Sequence, residues 1–562
     1  VNPATALARV FVDELRRCGV TEAVLSPGSR SAPLALAVAA EPRIRLHVRI
    51  DERSASYLAI GLARASGRPA VVICTSGTAA AALHPAVLEA DAGDVPLLLL
   101  TADRPPELRG VGASQTIDQL GLFGRAVRMF AEVGVPEPAA GQVGYWRSLV
   151  GRAVAAAADG PVHLNVALRE PLVPDADPDW PEPLSGRPAD APWVLMHRQP
   201  RTRPPLRDLL GDEPPERGVI VAGDGVADPA AVVQLAAELG WPLLAEPTSG
   251  ARSGPNAMAG YPLLMADAKF AEERAEVVLT VGRPGLSRAL LRWIARAGTH
   301  IVVDPAHRWA DPTRTAAVVL SDLPVGPGRE PTTTSGWLAQ WRRAGSVAEA
   351  VLDAELAGDP LTEPAVARVL GSALPEGSLL FAAPSRPIRD LELCLPARLG
   401  LRVLANRGVN GIDGVVSAAV GAALAHQRGA PAARGGPGRA VALLGDLAYL
   451  YDRNGLLFGM SDDRPDLTIV VVDNDGGGIF SMLPQAGVEN FERVFGTPHG
   501  LDLLADAAVS GLPARTVRTA AELRAALEPS GGLQFVRVAT DRAENAALHA
   551  RLQQSLGAAL HA

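Results

Sequence analysis

"IVVVDNDGGGIF", residues 469–480, carries a β-branched run straight into Asp-Asn-Asp and then three glycines. The run has the composition of a buried strand, since β-branched residues pack well on a pleated surface. The polar triplet and the glycines mark the place where that strand leaves the core. Asn-Asp-Gly is ordinary turn chemistry when taken alone. Its meaning depends on a second strand, "AVALL" (440–444), which ends in Gly445-Asp446. Asp446 and Asn474 are 28 positions apart, a spacing that suits a strand–helix–strand unit with "YLYDRNGLLFGM" (449–460) as its crossover helix. A right-handed crossover sets the two strand ends side by side. An Asp carboxylate, an Asn side-chain oxygen and a backbone carbonyl at Gly476 then form a set of hard oxygen donors of the kind magnesium prefers.

The same alternation of short apolar strands and helices extends through the chain. "EAVLSPGS", "RLHVRI", "AVVICTSG", "PLLLLTAD" and "PVHLNVAL" are strands in the first block, each ending in Gly, Ser, Thr or Asp before a helix. That rhythm predicts a parallel sheet covered on both faces. A Pro/Asp-rich stretch at 171–193 reads as a linker, and a second one lies at 323–336. The fold class is therefore α/β, with three domains at 1–180, 190–335 and 340–562, each a mostly parallel sheet covered by helices.

Composition narrows the function. The 562 residues carry a net charge of −8, which argues against nucleic acid as a bulk partner. The longest apolar runs are too short to span a bilayer, and the N-terminal stretch has no signal-peptide layout, so the expectation is a cytoplasmic protein. Cys18, Cys74 and Cys394 offer neither a disulfide framework nor a zinc spacing. Of 53 basic residues only Lys269 is lysine, and it stands in a polar helical stretch, which disfavours Schiff-base catalysis.

The pair Gly445-Asp446 and Asp473-Asn474 resembles the diphosphate-binding motif of thiamine-diphosphate enzymes. Leu447 replaces a frequent second Gly, and Asp473 replaces the first Asn. "GDG" at 223–225 is a better literal match, but the same spacing from Asp224 reaches Arg252, with no strand before it; it reads as a loop at a strand end. The resemblance then becomes more specific. "SPGSRSAPL" (26–34), "IDERSASYLAIGLA" (50–63), "TSGTA" (75–79), "LTADRPPELRGVGASQTIDQ" (100–119), "NRGVNGIDG" (406–414) and "NDGGGIFSMLPQ" (474–485) occur in this order. Together they look like the SEPHCHC synthase family of menaquinone biosynthesis.

That resemblance implies a thiamine-diphosphate- and Mg2+-dependent transferase, with Mn2+ able to substitute. It would decarboxylate 2-oxoglutarate and add the resulting carbanion 1,4 to isochorismate. Gly445, Asp446, Asn474, Gly476 and Ile479 would bind the cofactor, with Asp446, Asn474 and the Gly476 carbonyl on the metal. Glu52 would activate the aminopyrimidine. Ser29, Arg30, Gln115, Ser385 and Arg389 would join Glu52 as catalytic residues, and Arg104, Arg288, Arg407, Ile412, Phe480 and Leu483 would bind substrate. Ile479, Phe480 and Leu483 would cover the reacting ring and exclude water. Both substrates are dianions, which suits bidentate arginines. The family also implies a homodimer or homotetramer with sites at the subunit interface.

Other thiamine-diphosphate chemistry, such as an acetolactate synthase or a benzoylformate-type decarboxylase, would need an apolar substrate pocket in place of these arginines. No convincing glycine-rich dinucleotide turn for FAD stands at 218–305. A non-catalytic relative would be expected to have lost Glu52 or the Asp446/Asn474 pair; all three are present.

Overall fold

A computed structural model of the chain describes residues 2–175, 180–197, 202–326, 328, 335–429 and 438–562. The chain divides into two compact units: Val1–Arg198, Asn406–Pro431 and Ala448–Asp466 form one, and Gln199–Ala405, Ala432–Leu447 and Leu467–Ala562 the other.

The first unit holds a parallel sheet of β1 (Glu22–Leu25), β2 (Arg45–Val48), β3 (Ala70–Cys74), β4 (Leu97–Asp103), β5 (Met129–Val133) and β6 (Val162–Ala167), in the order β2-β1-β3-β4-β6-β5. β3, β4 and β6 are buried along their whole length, as expected for central parallel strands with helices on both faces. β5 is not apparent in the sequence. It lies at the sheet edge, and its half-exposed "MFAEV" lacks the continuous apolar run of the interior strands. The described part of the 171–193 stretch is strapped to this unit. Trp180 packs tilted against Trp146, and the Trp193 amide donates to the buried Glu14 carboxylate at 2.5 Å.

A helix from the C-terminal third, Val415–Gly429, also belongs to this unit and lies against helix Glu52–Ser66. Two glycines allow the approach. A Cβ on Gly61 would fall 2.0 Å from the Ala418 carbonyl oxygen, and one on Gly421 would fall 2.1 Å from that of Leu58. Tyr57 donates its hydroxyl to Asp413 at 2.6 Å, and Glu89 accepts the Gly408 and Val409 amides at 2.8 Å each.

The second unit contains two sheets. One runs β11-β10-β9-β7-β8, from β7 (Gly218–Ala222), β8 (Leu243–Ala245), β9 (Val277–Val281), β10 (Thr299–Val303) and β11 (Ala316–Leu320). The other is built from β12 (Ser378–Ala382), β13 (Leu401–Ala405), β14 (Ala440–Gly445), β15 (Leu467–Asp473), β16 (Ala514–Val517) and β17 (Leu533–Ala539), in the order β13-β12-β14-β15-β17-β16. This is the strand order of the first sheet repeated, strand for strand. Buried Arg252 joins β8 to helix Arg386–Cys394, donating to the carbonyls of Ala245 (2.7 Å), Glu392 (2.9 Å) and Leu395 (2.9 Å).

β14 and β15 pair in parallel with Gly445 opposite Val472, so their C-terminal ends are adjacent as the spacing required. The crossover helix is shorter than expected and begins earlier, spanning Asp446–Tyr451 before a 3-10 turn at Arg453–Leu456. "GDG" at 223–225 is a loop after β7, where Asp224 pairs with Arg283 at 2.9 Å.

Because the carbonyl facing Gly421 belongs to helical backbone and cannot swing away, Gly421→Ala should destabilise the protein by about 3 kcal/mol. A thermal or denaturant unfolding curve against wild type measures it.

Candidate functional site

The expected site residues fall into two sets, one in each compact unit. In the second unit they gather at the ends of β14 and β15. Asp446 is 2% exposed and starts its helix. Its carboxylate accepts three backbone N–H groups: Leu447 at 2.6 Å, Gly476 at 2.8 Å and Asn474 at 3.2 Å. Burial raises its pKa above the usual Asp value, against those hydrogen bonds. Asn474 donates its amide to Glu363 at 2.8 Å, and its Oδ1 is buried with no hydrogen-bond partner among the described residues. An orphaned hard oxygen on the residue whose backbone amide reaches Asp446 is an atom that a divalent cation would satisfy. The Gly476 carbonyl accepts the Gly478 amide at 3.0 Å and keeps a second lone pair.

The glycines have a role inside the chain that the sequence did not disclose. A Cβ on Gly476, whose φ is +135°, would fall 2.0 Å from the Gly496 carbonyl oxygen, and one on Gly477 would fall 2.3 Å from that of Phe495. They admit the returning loop 491–500, whose His499 and Gly500 amides both reach Asp475 at 2.8 Å. Ile479, Phe480 and Leu483 are half-buried in and just after the 3-10 turn Gly478–Met482, with Phe480 against Phe495 at 5.5 Å.

Three residues at this site have no signal in the sequence. Glu363 begins helix Glu363–Ala373, is 3% exposed, and has its pKa raised to about 7 by burial and by Asp390. His499 places Nε2 3.5 Å from Asp446 and 3.7 Å from Asp473. Arg537 on β17 pairs with Asp473 at 2.6 Å, so that carboxylate is neutralised from the neighbouring strand. Each is a single residue far away in sequence, and no local pattern announces it. Glu363, Gly445 and Asn474 line one small pocket together with Arg386 and Asp390. Ser385 has φ +75° and caps helix Arg386–Cys394, and Arg389 donates back to its carbonyl at 2.8 Å. Arg288 stands exposed in the first turn of helix Arg288–Ile294, and no hydrogen bond or ion pair among the described residues joins it to the other candidates.

In the first unit the candidates occupy loops that follow parallel strands, where open α/β sheets bind ligands. Arg30 follows β1, is 8% exposed, and donates to the Leu168 carbonyl at 3.0 Å, while its Nε is buried without a partner among the described residues. Burial, and after it the neighbouring Arg104 charge, lower its pKa below the usual Arg value. Arg104, after β4, donates to Ser76 Oγ at 2.7 Å and to the Ser114 carbonyl at 3.1 Å. Gln115 has φ +54° and donates to the Ser76 carbonyl at 3.1 Å. Ser76, which lies in the "TSGTA" motif but has no role assigned by the resemblance, is thus the hub of this group. Ser29 is exposed at the β1 turn. Arg407 is buried and pairs with Asn410, with Ile412 half-buried two residues further on. Glu52 opens helix Glu52–Ser66 behind the Asp51 cap, half-buried, near enough to Cys74 to help burial raise that thiol's pKa.

Parallel sheets with candidates on their strand-end loops are what many α/β enzymes use to bind ligands, and two family profiles put this chain among the thiamine-diphosphate enzymes. The family profile "Thiamine pyrophosphate enzyme, N-terminal TPP binding domain" matches residues 5–122, and "Middle domain of thiamine pyrophosphate" matches 184–382. A solved structure described as a thiamin diphosphate-dependent enzyme from Mycobacterium smegmatis aligns with TM-score 0.67 at 20% identity, covering 95% of this chain and 99% of that one. Curated relatives named 2-succinyl-5-enolpyruvyl-6-hydroxy-3-cyclohexene-1-carboxylate synthase are 57% identical in Thermobifida fusca and 45% in Saccharopolyspora erythraea, each match covering 100% of both chains. The chain belongs to this SEPHCHC synthase family and is a thiamine-diphosphate-dependent enzyme. No helix among the described residues is long and apolar enough to cross a membrane.

Asp452 lies beneath the Glu52 helix, accepting the Ser417 amide at 2.7 Å and the Ser54 hydroxyl at 3.3 Å, and burial pushes its pKa up to about 6. The folded chain therefore holds this proton over a range where the unfolded chain has released it. Stability falls as pH rises from about 4 to 6, by at most about 3 kcal/mol from this group. Asp452→Asn should flatten the pH dependence of unfolding in that window.

Proposed function

We propose that the chain decarboxylates 2-oxoglutarate and adds the resulting four-carbon unit 1,4 to isochorismate, giving SEPHCHC and carbon dioxide in menaquinone biosynthesis. The observation that carries the substrate assignment is the pairing of Arg30 and Arg104. Burial, and after it the neighbouring Arg104 charge, disfavour the charge on Arg30, whose Nε is buried without a partner among the described residues, and the exposed Glu170 carboxylate stands 3.9 Å from its Nη2. Such a pair is best relieved by an anion, and a carboxylate fits the guanidinium fork. Both proposed substrates carry two carboxylates.

Thiamine diphosphate, when bound, supplies the carbanion chemistry that neither substrate can support alone. Glu52 is the carboxylate that would exchange a proton with the aminopyrimidine ring. Asn474 through Oδ1, Asp446 and the Gly476 carbonyl would hold Mg2+, with Mn2+ an acceptable substitute, and Gly445 and Ile479 would contact the cofactor. Arg104, Arg407, Ile412, Phe480, Leu483 and Arg288 would bind substrate. Ser29, Arg30, Gln115, Ser385 and Arg389 would orient the reacting carboxylates, and the apolar groups after Gly478 would keep water from quenching the reaction. In this reading block 1–180 binds the pyrimidine and block 340–562 the diphosphate, with 190–335 between them. A site is completed between two copies of the chain, in a homodimer or homotetramer.

A mass-spectrometric assay that omits thiamine diphosphate, Mg2+, 2-oxoglutarate or isochorismate in turn should yield the adduct only in the full mixture. Carbon dioxide without adduct would retain the donor and refute the acceptor. Glu52→Gln should lose decarboxylation by at least about 100-fold, the scale of a positioned acid–base group, while cofactor affinity by calorimetry stays near wild type. Normal turnover in that variant would remove Glu52 from its role.

A further inference from the structure

The buried Glu363 and the half-buried His499 lie against the proposed metal-binding side chains without belonging to the expected ligand set. We infer that Glu363 and His499 are positioning residues that decide which atoms Asn474 and Asp446 present to a cation. The inference rests on the proposed metal site.

Asn474 offers either an oxygen or an NH2 group, depending on a rotation about one bond, and only the oxygen can bind a hard cation. Glu363 removes that choice. Its Oε1 accepts from Asn474 Nδ2 at 2.8 Å and from the Thr540 hydroxyl at 3.3 Å. With Oε1 taking both donors, which a carboxyl oxygen does whether or not the other oxygen carries a proton, the amide turns its NH2 toward Glu363 and its Oδ1 the other way. Oδ1 is the buried atom without a partner. A carboxylate 3% exposed is costly to bury, and apolar replacements of buried charges are often neutral or stabilising, so packing alone gives no reason to keep it here.

His499 acts on the other ligand. Its Nδ1 accepts the Leu501 amide at 3.0 Å, which places the ring proton on Nε2. Nε2 is buried, lacks a hydrogen-bond partner within normal range, and faces Asp446 Oδ2 at 3.5 Å and Asp473 Oδ1 at 3.7 Å. In this tautomer Nε2 carries a hydrogen and is no metal ligand. It is a donor held over Oδ2, the oxygen already taking the Asn474 and Gly476 amides. A shortening of that contact on cation binding would leave Oδ1 for the metal.

The test is a titration of Mn2+ against each variant in the presence of thiamine diphosphate, read by electron paramagnetic resonance and by calorimetry, with no turnover required. Glu363→Met and His499→Asn should weaken Mn2+ binding about 10- to 100-fold, the usual effect of losing an outer partner of a ligand. Glu363→Gln keeps an acceptor, and His499→Gln keeps a donor near the Nε2 position; both should bind near wild type. Thermal unfolding of all four separates a folding defect from a ligand defect, and the Gln variants carry the test if either of the others fails to fold. Wild-type affinity in folded Glu363→Met and His499→Asn would overturn the inference, as would equal loss in the Gln variants. Cofactor binding by wild type that is indifferent to any divalent cation would instead overturn the proposed metal site itself.

Discussion

One carboxylate ties the ends of two parallel strands together. Asp446 accepts the amide of its own next residue and two more from the end of β15, Asn474 and Gly476. A buried carboxylate is tolerable only when its charge is met by donors, and backbone N–H groups meet it without bringing another side chain into the space. Remove that carboxylate and the Asn474 and Gly476 amides lose the acceptor that fixes them relative to β14. The loop 491–500, anchored on Asp475 and packed on Gly476 and Gly477, depends on the same turn.

The first unit solves a similar problem with different groups. Its candidates project from loops after β1 and β4, and those loops are held by polar contacts: Gln115 on the Ser76 carbonyl, Arg104 on the Ser76 hydroxyl, Arg30 on the Leu168 carbonyl. Behind them the Glu52 helix is seated against helix Val415–Gly429 at a distance only glycine permits. That two sheets with one strand order carry the two sets of residues means one architecture serves both, with the chemistry changed by the loop at the end of each strand.

The interior strands are legible in the sequence because a central parallel strand is buried on both faces and must be apolar throughout. β3, β4, β14 and β15 read directly from their runs. The strands that the sequence does not disclose, β5, β8, β11 and β16, all lie at sheet edges; β8 is very short, and the other three mix exposed with buried positions. Arg30 and Arg104 stand out because each follows a strand end in a turn. Arg288 does not gain from the structure, since no hydrogen bond or ion pair among the described residues links it to the other candidates.

The sequence by itself determined the α/β class, the strand-end pair Asp446 and Asn474, and membership in a family whose motifs are dense at both ends of the chain. Those properties are local, written in runs and spacings a few tens of residues long. Tertiary structure alone decided that Glu363, His499 and Arg537 surround that pair, that Ser76 joins Arg104 to Gln115, and that a late helix belongs with the first sheet. Such partners are chosen by proximity after folding. A lone Glu or His more than a few turns away carries no periodicity, so the chain must close before its role exists.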